Sequence, residues 1–496
     1  MNRSVGIIGA GIGGLTAAVY LAQSGFEVTL LEKAVLPGGN ASSYIRRNRM
    51  FPTGATVAFG LEPGGILSEL LMEMNVEIPC RPMFHSMDVV LSDRKVSIYA
   101  DRTRWEEELS AVFHERADRV SAFWKELSRI AEAVMAVTSS RVALPLRGVY
   151  QLGKLPRLAV SRPGMLFRLL PYSLRTVESL LRKHGLADYA PFRAFLDAQL
   201  VDAAQTDASN AALLPSALAL DIYRYGIFAV EGGFGTLIRQ LEERFIRLGG
   251  RVLYASPVTD LRWEGRRWQA HTERDSFHFD WVINATGLTW NGAALQESGN
   301  NEGWGAFRID AIVRSELLDD VLALQQEAAL PFACQIMPME HAASSLLEAG
   351  GHGPVYVTFH PSRDAAGRSL PDEAMVSISV HTRPERWTQL NKEDYRNRKR
   401  KMTEALFDEM ERLWPAFRTR LIRFDAGSPR TYARFVGKSA VGGYPLTVRN
   451  AILKPSGSRT SHSRLILAGD TVFPGPGTLS SALSGYYAAR AIMRHR

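Results

Sequence analysis

The spacing of apolar positions changes period several times along the chain. Val5-Gly6-Ile7-Ile8 is a short apolar run closed by glycine, the mark of a strand covered on both faces. Leu15–Ser24 then has helical composition, and Phe26-Glu27-Val28-Thr29-Leu30-Leu31 predicts a second strand. From about residue 86 to 225 helical patterns dominate, as in Trp105–Thr138 and Leu174–Leu200. Gly232–Gly249 predicts a glycine-bounded helix, followed by strand Arg251–Tyr254. Trp281-Val282-Ile283-Asn284 is another apolar strand, ending in the small-residue turn Ala285-Thr286-Gly287. Pro354–His360 and Ala374–Thr382 alternate with period two, so they read as half-buried strands. Lys392–Trp414 predicts a long charged helix, and Arg464–Leu467 a last apolar strand before a helix from about Ser480 to Met493.

Composition narrows the class. With 496 residues, 46% apolar and 22% charged, the chain can bury a large core and is not disordered. Its length suggests two to four lobes of roughly 150 residues. Cys80 and Cys334 are the two cysteines, too few for a disulfide scaffold and suited to a reducing cytosol. The net charge of +8 is spread along the sequence. No basic arm or nucleic-acid motif accompanies it, and Arg396–Lys401 reads as the solvated face of a helix. An anionic membrane surface accounts for the excess as well as plain surface charge does. No uninterrupted apolar run reaches 18 residues, so no membrane-spanning helix is expected. The N-terminal apolar run is broken by glycines, unlike a signal peptide, and folding is expected to begin at Met1. These features point to a cytoplasmic protein.

Gly9-Ala10-Gly11-Ile12-Gly13-Gly14 lies between the first strand and the first helix, and Glu32 follows Gly14 by 18 residues. That is G-x-G-x-x-G in its full βαβ context. Gly9 permits the tight turn, Gly11 lets the backbone approach a pyrophosphate, and Gly14 lets helix and strand pack closely. The helix N-terminus offers unpaired N–H groups to phosphate. Glu32 is suited to accept hydrogen bonds from ribose hydroxyls.

FAD is favoured over NAD by what comes next. Pro37-Gly38-Gly39-Asn40-Ala41-Ser42 forms a second glycine turn directly after the acid, where the chain can double back along a pyrophosphate and ribityl chain. Near the C-terminus, Ala468-Gly469-Asp470 and Pro474-Gly475-Pro476-Gly477-Thr478-Leu479 precede the last helix. Asp470 is placed to bond the ribityl or pyrophosphate region. The helix N-terminus is placed to stabilise negative charge on a reduced flavin ring. Both ends of the chain are expected around one cofactor.

These motifs resemble the FAD-dependent carotenoid desaturase and isomerase family. The resemblance runs from Val5 to Ile492 and includes Phe51-Pro52-Thr53-Gly54-Ala55-Thr56, Gly60-Leu61-Glu62-Pro63-Gly64-Gly65 and Glu231-Gly232-Gly233-Phe234-Gly235-Thr236-Leu237. In motif it is nearest to the carotenoid C-3′,4′ desaturases. Asn40 stands where many members carry Arg, and Pro52 where many carry Asp. The resemblance implies an α/β fold: a discontinuous Rossmann-type FAD/NAD(P)-binding domain with an inserted α+β substrate domain. The expected segments are 1–85, 226–295 and 455–496 for the FAD domain, and 86–225 and 296–454 for the substrate and membrane-facing domain. It adds Ile12, Gly13, Lys33, Thr53, Gly54, Ala55, Thr56, Val258 (through its backbone, to adenine), Thr286, Gly287, Gly469, Gly477, Thr478 and Leu479 to the candidate cofactor contacts. The implied reaction is desaturation or isomerisation of a long apolar isoprenoid by hydride transfer to flavin N5, with oxygen or a quinone accepting the electrons.

Gly350-Gly351-His352-Gly353 is the other glycine cluster, but Ala342–Ala349 before it is helical in pattern, so no second dinucleotide site is expected. Ser-His-Asp, H-E-x-x-H and metal-ligand patterns are absent from the sequence, and no catalytic side chain is assigned. His360 and His381 are the better histidine candidates, because alternating strands can floor a pocket. An amine or amino-acid oxidase acting on a small polar substrate is the alternative, with Tyr486-Tyr487 as the aromatic pair that keeps it open. Finally, Lys154, Arg157, Arg162, Arg168 and Arg175 alternate with bulky apolar residues between Gly153 and His184. That pattern suits a segment dipping into a bilayer face or a basic helix pair capping the substrate lobe.

Overall fold

A computed structural model describes residues 4–54, 57–145, 168–292, 295–297, 303–325 and 333–495. Ala55, Thr56 and residues 146–167, which include the first part of the basic-apolar stretch from 153 and Phe167, lie outside the described residues. Two sheets organise the rest. The first has five parallel strands in the order Arg251–Leu253, Glu27–Leu31, Ser4–Ile8, Trp281–Asn284 and Leu465–Leu467. Its strands come from the beginning, middle and end of the chain, and they are short and apolar because helices cover both faces. Helix Ile12–Gln23 is buried along almost its whole length, and helix Thr478–Met493 packs across it. An all-round apolar helix belongs inside a fold; this one is pressed between the sheet and the last helix.

The second sheet has seven strands, in the order Leu421–Gly427, Gly305–Arg314, Ser369–Thr382, Gly351–Arg363, Ala333–Ile336, His85–Val90 and Lys95–Tyr99. All pairs are antiparallel except Ala333–Ile336 with His85–Val90. Its period-two alternation separates two faces. Phe307, Ile309, Val355, Val357, Val376, Ile378 and Val380 pack on one side with Met402, Leu406 and Met410 of helix Lys392–Leu413. Arg308, Asp310, Tyr356, Thr358, Ser377, Ser379 and His381 face the other side. There, helices Ala117–Ser139, Ala190–Ala203 and Leu213–Asp221 form an aromatic-rich apolar roof.

Several sequence expectations are refined. The alternating strands and the helix after Asn391 are present. The segment from residue 86 starts as a β-hairpin, His85–Val90 with Lys95–Tyr99, before becoming helical. Its turn is Ser92-Asp93-Arg94, which carries no glycine and so left no turn signal. Trp105–Thr138 is two helices, Arg102–Val112 and Ala117–Ser139, joined by one 3₁₀ turn. Leu174–Leu200 also divides, into Val177–Lys183 and Ala190–Ala203. Gly185 at φ 64° ends the first of these, and Pro191 opens the second. Gly350 caps helix Glu340–Ala349 and leads into a strand. That order, helix then strand, is the reverse of a dinucleotide turn.

Candidate functional site

The first glycine turn is built as its spacing requires. Gly9 has φ 100°, and a Cβ at Gly14 would stand 2.1 Å from the Gly9 carbonyl oxygen. At Gly11 a Cβ would meet nothing within 4 Å. The chain therefore needs glycine at position 14 for its own packing, whereas position 11 faces open space. The second turn docks on the first: Gly38 N donates to Ala10 O at 2.8 Å, and Gly11 and Gly38 form a parallel bridge. Glu32 fixes both, accepting from Ala10 N at 2.6 Å and Ala34 N at 2.8 Å. Burial raises its carboxyl above the usual range, opposed by those backbone N–H groups. Lys33 next to it is exposed at the rim and reaches Ala433 O.

Thr53 stitches the second turn to the strand pair that follows. Its hydroxyl lies 2.9 Å from Gly39 O and 3.0 Å from Ser42 O, and its N–H also donates to Ser42 O. A Cβ at Gly54 would fall 2.9 Å from Asn40 O. Asn40 keeps a buried side-chain oxygen without a partner, and Ala41 beside it is buried. The C-terminal landmark closes on the same place. A Cβ at Gly13 would meet Ser481 O at 3.0 Å and Gly469 N at 3.2 Å. Gly477, at φ 100°, starts the last helix with no side-chain cap, so the N–H groups of Thr478 and Leu479 open onto the site. Asn284 orients the adjoining turn by accepting from Thr286 N and Thr286 Oγ1.

Most of these residues line one cavity of about 1810 Å³, while the predicted contacts Gly14 and Gly287 lie outside its lining. It begins at Gly9, Gly11 and Glu32, passes Ser256 and Val258 on one side and Thr286 and Gly469–Leu479 on the other, and continues between the seven-stranded sheet and the helical roof. Single-ligand pockets run to about 1,000 Å³, so this cavity has room for a dinucleotide and a second ligand. The second arm is roofed by Val134, Val137, Leu214, Leu218 and Ile222, while its floor is the polar face of the sheet.

Sequence reading missed three features of this site. Lys438 forms an ion pair with Asp470 at 2.6 and 2.7 Å, so Asp470 already has a strong partner. A Cβ on Gly287 would stand 3.1 Å from the Lys438 ammonium. A buried network on the sheet joins Arg308 to Asp310 (2.9 Å), Ser377 (2.7 Å) and Gly54 O (3.1 Å), with Tyr44 donating to Asp310 at 2.9 Å. Asp202, at the end of a roof helix, opens onto the cavity. The signal for Arg308 and Asp310 was the alternation of Gly305–Arg314, which puts both on the polar face; Lys438 and Asp202 had none. His381 lines the floor, whereas His360 pairs in register with Met375, six residues farther along the sheet, outside the cavity lining and 2.8 Å from Thr358 Oγ1. Burial lowers them to about 4 and about 3, so both are neutral imidazoles. Tyr486 and Tyr487 pack instead against Tyr20, Phe473 and Arg141, outside the cavity lining. Among the described residues no group of three or more His, Cys, Asp or Glu is placed to hold a metal ion.

Residues 12–291 match the family model described as flavin containing amine oxidoreductase. The chain belongs to that family. It is an FAD-dependent oxidoreductase with a Rossmann-type α/β domain and an inserted α+β domain. The flavoenzyme is 22% identical over 500 residues to a chloroplastic prolycopene isomerase of Daucus carota, covering 98% of this chain and 79% of that one. A 4,4′-diapophytoene desaturase of Methylomonas is 33% identical over 132 residues, 25% of each chain. In fold it is similar to putrescine oxidase bound to putrescine, with a TM-score of 0.63, 14% identity, and 100% and 99% of the two chains covered.

The residues present fit a flavin dinucleotide. The open space at Gly11, the unpartnered Asn40 oxygen and the uncapped last helix are what such a ligand needs from a protein.

Proposed function

We propose that the flavoenzyme desaturates or isomerises a long apolar isoprenoid of the carotenoid type. The observation that carries this reading is the continuity of the cavity, from the glycine turns into an arm roofed by aliphatic side chains. The names of its relatives, the prolycopene isomerase matched over 98% of this chain and the diapophytoene desaturase matched over 25%, support the same substrate class.

Gly9 and Gly11 with the N-terminus of helix Ile12–Gln23 hold the pyrophosphate, and Glu32 uses its remaining lone pairs on the ribose. Gly38–Ser42, Thr53 and Gly54 flank the middle of the cofactor. Lys438 with Asp470 and the N-terminus of helix Thr478–Met493 lie at its far end. Bound FAD supplies the two-electron acceptor. The chain's own residues bind and orient the substrate and exclude water from the reacting carbons. In a desaturation oxygen or a quinone would take the two electrons removed with the hydrogens, since the sequence offers no second dinucleotide turn; an isomerisation is redox-neutral and needs no external acceptor.

Co-expression with a carotenoid-producing pathway tests the reading. A red-shifted pigment means added double bonds, and altered cis content without a gain in double bonds means isomerisation. Peroxide release with amines and no change in any polyene overturns it in favour of amine oxidation.

A further inference from the structure

The second arm of the cavity is not uniformly apolar. Six polar residues meet in it: Asp202, Gln205, Tyr223, Gln335, Tyr356 and His381. Tyr356 is their centre. It pairs in register with Gln335 on the neighbouring strand, and its ring lies 5.3 Å from that of His381. Its hydroxyl reaches Ala198 O on the helix that carries Asp202. Tyr356 and Tyr223 both feel the Asp202 carboxylate, and Gln205 Nε2 donates to Asp202 O at 3.1 Å.

What marks the cluster is unused hydrogen-bonding capacity. Gln205 Oε1, Gln335 Oε1 and His381 Nδ1 are buried and have no partner, in side chains 5%, 2% and 8% exposed. The Asp202 carboxyl makes no hydrogen bond or ion pair among the described residues. A buried polar atom without a partner costs about 1–3 kcal/mol, and native proteins hold few of them. Three in one patch of a substrate arm, beside an Asp202 carboxyl that opens onto the same space, are a recognition surface awaiting its partner. A hydrocarbon leaves every one of them unsatisfied.

We propose that this cluster binds a neutral hydroxyl group on the substrate, so the flavoenzyme acts on an amphiphilic isoprenoid rather than a bare hydrocarbon. The inference rests on the reading of the arm as the site of a long apolar chain. A hydroxyl donates to a glutamine oxygen or to the Asp202 carboxylate and accepts from the neutral His381 ring when Nδ1 carries its proton, which satisfies both kinds of group at once. The site disfavours charge: burial pushes Asp202 up to about 6 and His381 down to about 4. Arg308 on the floor is committed to Asp310, Ser377 and Gly54 O, and Arg224, which faces Tyr223, also faces the Asp221 carboxylate.

The test uses the purified holoenzyme in detergent micelles with geranylgeraniol, the hydrocarbon of the same chain, and geranylgeranylamine. Binding is read from the perturbation of the bound flavin's visible absorbance. The alcohol is expected to bind at least about tenfold more tightly than the hydrocarbon, the effect of one or two neutral hydrogen bonds. Gln335→Leu and Gln205→Leu should each remove most of that preference while retaining bound FAD and hydrocarbon binding. Equal binding of alcohol and hydrocarbon overturns the inference and leaves the apolar-chain reading standing. Tighter binding of the amine overturns it in favour of a cation site. If none of the three binds to FAD-loaded enzyme, the apolar-chain reading fails and this inference fails with it. Should either glutamine variant lose its flavin, the wild-type comparison of alcohol with hydrocarbon decides alone.

Discussion

The backbone of Gly13 touches that of Gly485: a Cβ at position 485 would stand 2.1 Å from the Gly13 carbonyl oxygen. Residues 472 positions apart (485 − 13) thus fix the crossing of the first and last helices, and with it the place where both ends of the chain meet the cofactor cavity. Backbone cannot retreat as a flexible side chain can. Gly485→Ala is expected to destabilise the protein by about 1–3 kcal/mol, the range for overpacking, read as a fall in thermal midpoint. Gly11→Ala is the contrast. Its Cβ meets no protein atom within 4 Å, so the apoprotein should melt within about 0.5 kcal/mol of wild type, as for substitutions that disturb no contact, while FAD affinity drops. A Gly11→Ala protein that binds FAD normally would falsify the assignment of that space to the cofactor.

Glu32 has two duties, and substitutions should separate them. Both carboxylate oxygens already hold backbone N–H groups of the two glycine turns. Glu32→Ala therefore releases the turns as well as the ribose contact, and FAD affinity should fall by about 1–3 kcal/mol. Glu32→Gln keeps one acceptor oxygen and is expected to lose roughly half as much. Equilibrium flavin titration measures both; equal losses for Ala and Gln would mean that the oxygen the glutamine retains contributes nothing.

Asp202 gives a pH signature. Its folded carboxyl is raised to about 6 by burial, above its unfolded value of roughly 3.9. The native state then binds more protons than the unfolded one across that interval, so stability falls as pH rises from about 4 to about 6. Asp202→Asn removes the penalty. The variant should be more stable than wild type by about 1–2 kcal/mol at pH 7, after discounting for water in the open cavity, and no more stable at pH 4. His381, lowered to about 4, acts with the opposite slope. The difference between Asn variant and wild type, measured by denaturant melts at both pH values, isolates Asp202. An unchanged difference at the two pH values would show that this carboxyl titrates normally.

The parts of the fold legible in sequence were those where one residue type has one job. Gly9 and Gly14 were readable because a positive φ and a 2.1 Å approach exclude every other residue. The strands around Tyr356 and Ser377 were readable because alternation has a period that chance seldom produces. Lys438 and Asp202 were not readable, because each depends on a long-range neighbour. Lys438 finds Asp470 across 32 positions, and Asp202 faces Tyr356 across 154 (356 − 202). The hairpin at Asp88 and Lys95 was hidden for another reason. Its turn lacks glycine, and the alternating runs Ser86-Met87-Asp88-Val89 and Lys95-Val96-Ser97-Ile98 are only four residues each, too short to stand out beside the long helical pattern that follows.

The described end of the basic-apolar stretch carries the last prediction. Leu170 and Leu174 are 63% and 62% exposed, beside exposed Arg168 and Arg175, and Leu169 between them lines the cavity. Among the described residues no helix is long and apolar enough to cross a membrane, and the attachment predicted for this stretch is peripheral. Each basic residue near an anionic leaflet contributes roughly 1 kcal/mol, and each leucine that leaves water about 1.5–3 kcal/mol. Two of each suffice for reversible binding, with the cavity opening next to the lipid that dissolves an isoprenoid. Flotation with anionic liposomes should show the flavoenzyme bound at low salt and released as salt rises, because screening weakens the arginine contribution. Leu170→Ser with Leu174→Ser should lower the bound fraction at every salt concentration without altering flavin content. Equal flotation of this variant and the wild type would assign the two leucines to another role. A wild type that stays in the aqueous layer at low salt would mean that substrate reaches the arm by some route other than the bilayer.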